Sequence, residues 1–193
     1  MNDALHAHEL LSFDEVVAGY TSPVVGPVSF EVGPGEIVGL SGPNGSGKST
    51  ILRAITGQSR IFAGEVRRMQ RLRITHQWQR PELPPELALL ARELYALTGA
   101  DPDSAPEHLR SLMSLPLNRL SGGQFQMIQS MACLNAPVDL VLMDEPTNNL
   151  DGRALELLSQ MLKTKAPSKS VLLVSHEKAF LQDHCTRFVE MDA

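Results

Sequence analysis

The chain is short of cysteine, of basic residues and of long apolar runs. Among its 193 residues only Cys133 and Cys185 are cysteines, too few for a disulfide framework. A reduced, intracellular compartment fits that count best. Lys and Arg number 17 against 22 Asp and Glu, for a net charge of −5. This balance argues against a sequence-independent grip on nucleic acid. No uninterrupted apolar stretch approaches the roughly 20 residues needed to cross a bilayer. Met1 to Leu11 carries acidic residues and histidines, but no basic-then-apolar signal pattern. Work at a membrane would therefore go through a partner. The length fits one domain, with room for a small subdomain and a substantial core. A composition of 42% hydrophobic and 20% charged residues is ordinary for a globular protein.

Against these absences stands Gly42-Pro43-Asn44-Gly45-Ser46-Gly47-Lys48-Ser49-Thr50, a full G-x-x-x-x-G-K-[ST] pattern. The apolar run Ile37-Val38-Gly39-Leu40 before it reads as a buried strand. The stretch Ser49 to Ile55 after it reads as a helix, stopped at Gly57. Glycines let the loop curl so that several N–H groups point inward at an anion. The following helix adds its free N–H groups and positive dipole end. Lys48 can reach outer phosphates, and the Ser49 hydroxyl can ligate Mg²⁺.

Phe13 to Tyr20, Val24 to Val32 and Glu36 to about Ser41 read as strands, with Pro34-Gly35 as a turn. Tyr20 has two readings: an exposed ring that stacks on a nucleotide base, or a strand-end tyrosine packed on the core. Phe62 to Val66 and Leu72 to Thr75 are short strand candidates. Pro81, Pro84 and Pro85 then mark a boundary. Leu87, Leu90, Ala91, Leu94 and Leu97 recur at helical spacing, ending at Gly99. A shorter helix is expected from Pro106 to Met113. This middle stretch looks like a helical insertion into an α/β core.

Leu120-Ser121-Gly122-Gly123-Gln124 opens the next helix, whose apolar face is Phe125, Ile128, Met131 and Ala132. Ser121 with Gln124 also forms a capping-box pattern, and by spacing alone it is simply a well-capped helix. Leu140 to Met143 is an apolar run ending in Asp144-Glu145. Two carboxylates at the end of a buried strand need a cation or hydrogen bonds to receive them. Adjacent strand residues point to opposite sides, so Asp144 would serve Mg²⁺ and Glu145 would face an attacking water. Asp151 is placed to N-cap a helix that carries Leu155, Leu158, Met161 and Leu162 on one face. Val171 to Val174 is a third buried strand, ending in Ser175-His176.

Three apolar strands thus end in Ser41-Gly42, Asp144-Glu145 and Ser175-His176. Open parallel sheets bind ligands just beyond the carboxyl ends of their strands. The three ends should converge on a nucleotide, a magnesium ion, a carboxylate base and a histidine near the terminal phosphate. The expected reaction is phosphoryl transfer to water, driven by positioning and charge stabilisation.

With these residues in place, the chain resembles the ATP-binding subunit of an ABC (ATP-binding cassette) protein from about Phe13 to Met191. Tyr20 stands at the adenine-stacking aromatic, Gly42 to Thr50 at Walker A and Gln77 at the Q-loop glutamine. Leu120 to Gln124 matches the LSGGQ signature letter for letter. Leu140 to Glu145 is similar to Walker B, Asn149-Leu150-Asp151 to the D-loop, and His176 to the switch histidine. The resemblance implies an α/β P-loop NTPase fold, with a mixed sheet core at 1–78 and 137–193. A helical subdomain with the signature motif would lie at about 79–136, all within one domain. It implies Gln77 as a further magnesium ligand and catalytic group. It also implies ATP and Mg²⁺ as cofactors, held in a head-to-tail dimer in which Ser121, Gly122, Gly123, Gln124 and Asp151 face the ATP of the other subunit. There are departures. The stretch from Lys48 to Gln77 is short, Phe125 stands where a polar or basic residue commonly follows LSGGQ, and the chain stops soon after the switch-histidine strand. None of these removes a catalytic residue.

The leading expectation is the ATPase subunit of a membrane ABC transporter. It would be cytoplasmic and held at the membrane by a permease subunit. The permease helix would dock near Gln77, Trp78 and Pro81 to Pro85, where Trp78 lines the groove or packs in the core. The alternative is a soluble ABC-F-like ATPase acting on the ribosome or nucleic acid. Thr147 to Asp151 and Ser175 to Leu181 resemble that branch. The single cassette, the missing basic linker and the acidic balance weigh against it. A non-hydrolysing structural module is disfavoured because Lys48, Asp144, Glu145 and His176 are all present.

Overall fold

The computed structural model describes residues 9–79, 89–165 and 168–191. In chain order the elements are β1 (Leu11–Gly19), β2 (Pro23–Val32), β3 (Ile37–Ser41), α1 (Lys48–Ile55), β4 (Arg60–Arg68), β5 (Ile74–Gln77) and α2 (Ala91–Leu97). They continue with α3 (Glu107–Arg110), α4 (Gly122–Asn135), β6 (Leu140–Asp144), α5 (Gly152–Lys165), β7 (Ser170–Val174), α6 (Lys178–His184) and β8 (Arg187–Glu190). The strands form two sheets. Five lie in the order β5-β6-β7-β3-β8, and three in the order β2-β1-β4. The five-stranded sheet is parallel throughout, and the three-stranded one is antiparallel.

The central strands are continuous apolar runs because both faces of the parallel sheet are covered. Every residue of β3, β6 and β7 is buried. Alternation along each strand sends its side chains to two cores. Leu140, Leu142, Leu172 and Val174 join the core under α1 and the antiparallel sheet. Val141, Met143, Val171 and Leu173 join the core under α4, α5 and α6.

Register brings the strand ends level. Leu40 pairs with Val174, and Val174 pairs with Asp144. Gln77 pairs with Met143, one residue behind. The residues following β3, β6 and β7 therefore emerge side by side at one edge of the sheet.

Several expectations shift in detail. The helix anticipated over Leu87 to Leu97 is described from Ala91, while Leu87 and the Pro81 to Pro85 segment lie outside the described residues. Its inward side is Ala91 and Tyr95, whereas Leu97 is 72% exposed. The Pro106 to Met113 helix closes only over Glu107–Arg110. In α4, the anticipated apolar face widens to burial on all sides: every residue from Phe125 to Leu134 is buried, Gln126, Gln129 and Ser130 included. The α6–β8 unit that edges the sheet was not anticipated. Among the described residues no helix is long and apolar enough to cross a membrane.

Candidate functional site

The loop between β3 and α1 is built as a cradle. Gly45 and Gly47 have φ of +88° and +87°, a left-handed backbone that favours glycine. Gly47 is also sterically required, since a Cβ there would lie 2.4 Å from Val25 Cβ. Lys48, the first residue of α1, is almost fully buried. Its Nζ donates to the carbonyl oxygens of Gly42 and Pro43, each at 2.8 Å. The ammonium thus lies inside the loop. The Ser46 hydroxyl is buried with no partner among the described residues. Pro43, Asn44 and Gly45 form the exposed lip, and Thr50 packs inside. Gly42, Pro43 and Asn44 share an open cavity of about 490 Å³ with His176 and Lys178.

Asp144 ends β6 and Glu145 follows it in a left-handed bend, and the two side chains take different partners. The Ser49 hydroxyl donates to Asp144 Oδ1 at 3.2 Å. Burial raises the Asp144 carboxyl above its ordinary range, opposed by that hydrogen bond. Gln77 is fully buried, and its amide donates to the Asp144 carbonyl at 3.3 Å. Its Oε1 is buried without a partner among the described residues. The Asp144 carboxyl paired with the Ser49 hydroxyl, and the orphaned Gln77 amide oxygen, are oxygen donors of the kind Mg²⁺ takes.

On the other side, His176 Nδ1 lies 2.8 Å from Glu145 Oε2, and the His176 backbone N–H donates to the same oxygen at 3.2 Å. With Glu145 as a carboxylate, which only accepts, this contact is a hydrogen bond when Nδ1 carries the proton. The Glu145 side chain is buried, while that of His176 is 49% exposed. Glu145 has φ +49°, a left-handed conformation costing about 1–2 kcal/mol for a side chain of this kind. Backbone outliers of this sort collect at functional sites.

Tyr20 is 43% exposed, so the core-packing reading fails. Arg53, on the outer face of α1, donates to Tyr20 Oη at 2.5 Å. Trp78 is half-buried and its ring lies tilted against that of His76, centroids 3.7 Å apart. Burial lowers the His76 imidazole to about 4 from its ordinary 6.5, helped by the charge of Arg53. An imidazole that is neutral in the fold and protonated in the unfolded chain costs stability as pH falls. The loss begins near 6.5 and is complete below about 4. Melting midpoints measured from pH 7 to 4 should fall through this window, and His76→Phe should flatten the slope.

The signature residues lie elsewhere. Ser121 caps α4: its hydroxyl accepts the Gln124 N–H at 3.2 Å, and Gln124 Oε1 accepts the Ser121 N–H at 3.0 Å. Asp151 Oδ1 accepts the Ala154 N–H at 2.8 Å ahead of α5. Gly123 leaves room for the loop ahead of α5 in the same chain, since a Cβ there would meet the Asn149 carbonyl at 2.5 Å. Gly122 is half-buried beside it. Ser121, Gly123, Gln124, Asn149 and Asp151 line a groove of about 640 Å³ that no phosphate-loop residue lines. The signature residues and the phosphate loop therefore line separate cavities of this chain.

Sequence reasoning passed over two residues. Arg53 is three positions past Thr50, and nothing local links it to Tyr20. Gln126 donates from α4 to the Glu145 carbonyl at 3.2 Å. Gln126, Gln129 and Ser130 share helical spacing beside the apolar face of α4, and that polar stripe was the available signal.

The ABC transporter family model matches residues 25–148. The zinc import ATP-binding protein ZnuC of Paracoccus denitrificans is 33% identical over 163 residues, covering 80% of this chain and 64% of that protein. The protein of the same name from Cereibacter sphaeroides is 37% identical over 162 residues, covering 80% and 67%. The chain thus spans about two thirds of the length of these curated relatives. A solved structure described as the ATP binding subunit of an ABC transporter superposes with a TM-score of 0.78 at 25% identity, covering 94% of this chain and 85% of that one. By the matched family model, the relatives and the shared fold, this chain belongs to the ABC transporter family and is built as its ATP-binding cassette.

Proposed function

We propose that the chain is the ATP-binding and ATP-hydrolysing subunit of an ABC transporter. One observation carries the reading: the row of strand ends that sets Lys48, the Ser49–Asp144 pair and the Glu145–His176 pair side by side. ATP lies with its phosphates in the loop Gly42 to Thr50, within reach of Lys48, and with its base on Tyr20. Ser49, Asp144 and Gln77 hold Mg²⁺, which when bound neutralises phosphate charge and orients the outer phosphates.

Glu145 accepts a proton from the attacking water. The water oxygen bonds the terminal phosphorus as the bond to the bridging oxygen breaks, releasing ADP and phosphate. His176 Nδ1–H fixes the Glu145 carboxylate and leaves its exposed edge toward the phosphate side. Gln77, buried behind Asp144, is placed to join the site when its Oε1 finds a ligand. The groove at Ser121 meets the ATP held by a second cassette, as a helix N-terminus suits an anion. A head-to-tail dimer with two ATP molecules follows, closed by ATP and opened by hydrolysis. The α/β core at 1–78 and 137–193 and the helical part at 79–136 act as one cassette. Permease subunits hold it at the inner face of the cell membrane, with no nucleic acid partner. The zinc import proteins among its relatives make zinc the first cargo to assay.

Nucleotide binding tests this reading. Base stacking on an aromatic contributes about 1–3 kcal/mol. Tyr20→Ala should therefore weaken ATP binding roughly 5- to 150-fold, measured calorimetrically, and leave inorganic tripolyphosphate binding unchanged. Equal effects on both ligands, or none, would contradict the placement of the base.

A further inference from the structure

We infer that Gln126 is a positioning residue for hydrolysis that ties the signature helix to Glu145 within one chain. The inference rests on the reading of Glu145 as the group facing the attacking water. Glu145 sits at φ +49°, away from the backbone region its side chain favours. Such a conformation persists only where its surroundings over-determine it. Among the described residues, three hydrogen bonds hold its backbone. Its N–H donates to the Val174 carbonyl at 2.9 Å, and its carbonyl accepts the Asn148 N–H at 3.2 Å. The third is Gln126 Nε2, also at 3.2 Å and the only side chain of the three. Gln126 is buried, so no water competes freely for that carbonyl. If φ relaxes to ordinary negative values, the Cα–Cβ direction turns and the carboxylate leaves His176 Nδ1. Gln126 thus sets where the carboxylate points without touching ATP.

The same helix opens at Ser121, five residues earlier, about 7.5 Å along its axis. Burial on every side from Phe125 to Leu134 makes α4 a packed rod rather than a loose arm. A shift at Ser121 when it meets the partner-held phosphates is carried to the Glu145 carbonyl. The two ATP sites of a dimer are then joined inside each chain by a side-chain hydrogen bond, in addition to the contacts across the interface.

Gln126→Leu removes the donor at nearly constant volume. Gln126→Asn keeps the amide and loses the reach, and serves if the first variant unfolds. Gln129→Leu, a neighbouring buried amide on α4, controls for the general cost of altering a polar group there. The expected result is a kcat for Mg-ATP about 10- to 100-fold below that of Gln129→Leu, with KM and melting midpoint matching the control. In a Glu145→Gln background, Gln126→Leu should leave ATP-driven dimerisation intact, because the fault lies in the carboxylate alone. If Glu145→Gln abolishes turnover while both Gln126 variants match the control, the inference is overturned and the reading of Glu145 stands. If Glu145→Gln itself turns over normally, that reading falls, and the inference with it.

Discussion

Replacing Glu145 by Gln is expected to lower the rate of ATP hydrolysis by about 10²- to 10⁴-fold, the range that a positioned general base supplies. The amide matches the carboxylate in shape and can still accept from His176 Nδ1, which now lies 2.8 Å from Oε2. It cannot take a proton from water. ATP affinity should not suffer. The Glu145 charge is one of the influences that disfavour the ionised Asp144 carboxyl. Its removal makes Asp144 a better anion for Mg²⁺ and leaves the phosphate loop untouched. Phosphate release under saturating Mg-ATP measures the rate, and calorimetry with ATP measures the affinity. A variant that hydrolyses within about ten-fold of the parent, one decade of rate, would place the base elsewhere.

The second large effect is at Lys48. Lys48→Ala deletes a buried cation and both hydrogen bonds that tie its head to the Gly42 and Pro43 carbonyls. Hydrogen bonds to charged groups contribute about 1.5–3 kcal/mol each, so losing even one productive phosphate contact weakens binding roughly 10- to 150-fold. The loss should be shared by ATP and inorganic tripolyphosphate, because the lysine reads phosphate and not base. That pattern is the opposite of the one expected for Tyr20→Ala, and the pair of variants separates the two ends of the nucleotide. Lys48→Arg should restore little, since a planar fork does not fit a loop shaped around a point charge. Tripolyphosphate binding that survives in Lys48→Ala would contradict the cradle.

The parts of the site that were legible are those written contiguously. The phosphate loop carries its own glycines, lysine and serine within nine residues. The apolar runs ending in Asp144-Glu145 and Ser175-His176 announce buried strands with polar ends, and parallel packing makes those ends meet. Strand alternation anticipates different partners for Asp144 and Glu145, and the contacts to Ser49 and to His176 differ as expected, but β6 ends at Asp144 and a left-handed bend at Glu145 does the separating. The parts that were not legible depend on distant packing. Leu97 keeps helical spacing with Leu94 yet faces solvent, because Tyr95 and Ala91 take the inward positions. The helix at Glu107–Arg110 stops early, as the chain turns between residues 111 and 114. The hydrogen bond from Arg53 to Tyr20 spans 33 residues, and that from Gln126 to Glu145 spans 19. The left-handed backbone of Glu145 has no mark in its residue type, since glutamate is not a residue that favours it.

The central claim is that two half-sites, the phosphate loop of one chain and the Ser121 groove of another, close on ATP. Size-exclusion chromatography with light scattering on Glu145→Gln, with and without Mg-ATP, tests it most directly. The account predicts a 21.1 kDa monomer without nucleotide and twice that mass with it. It also predicts that Ser121→Arg, added to the same variant, abolishes the dimer while ATP still binds. A Glu145→Gln chain that binds ATP at full affinity and remains monomeric, or a dimer indifferent to Ser121→Arg, would contradict the account.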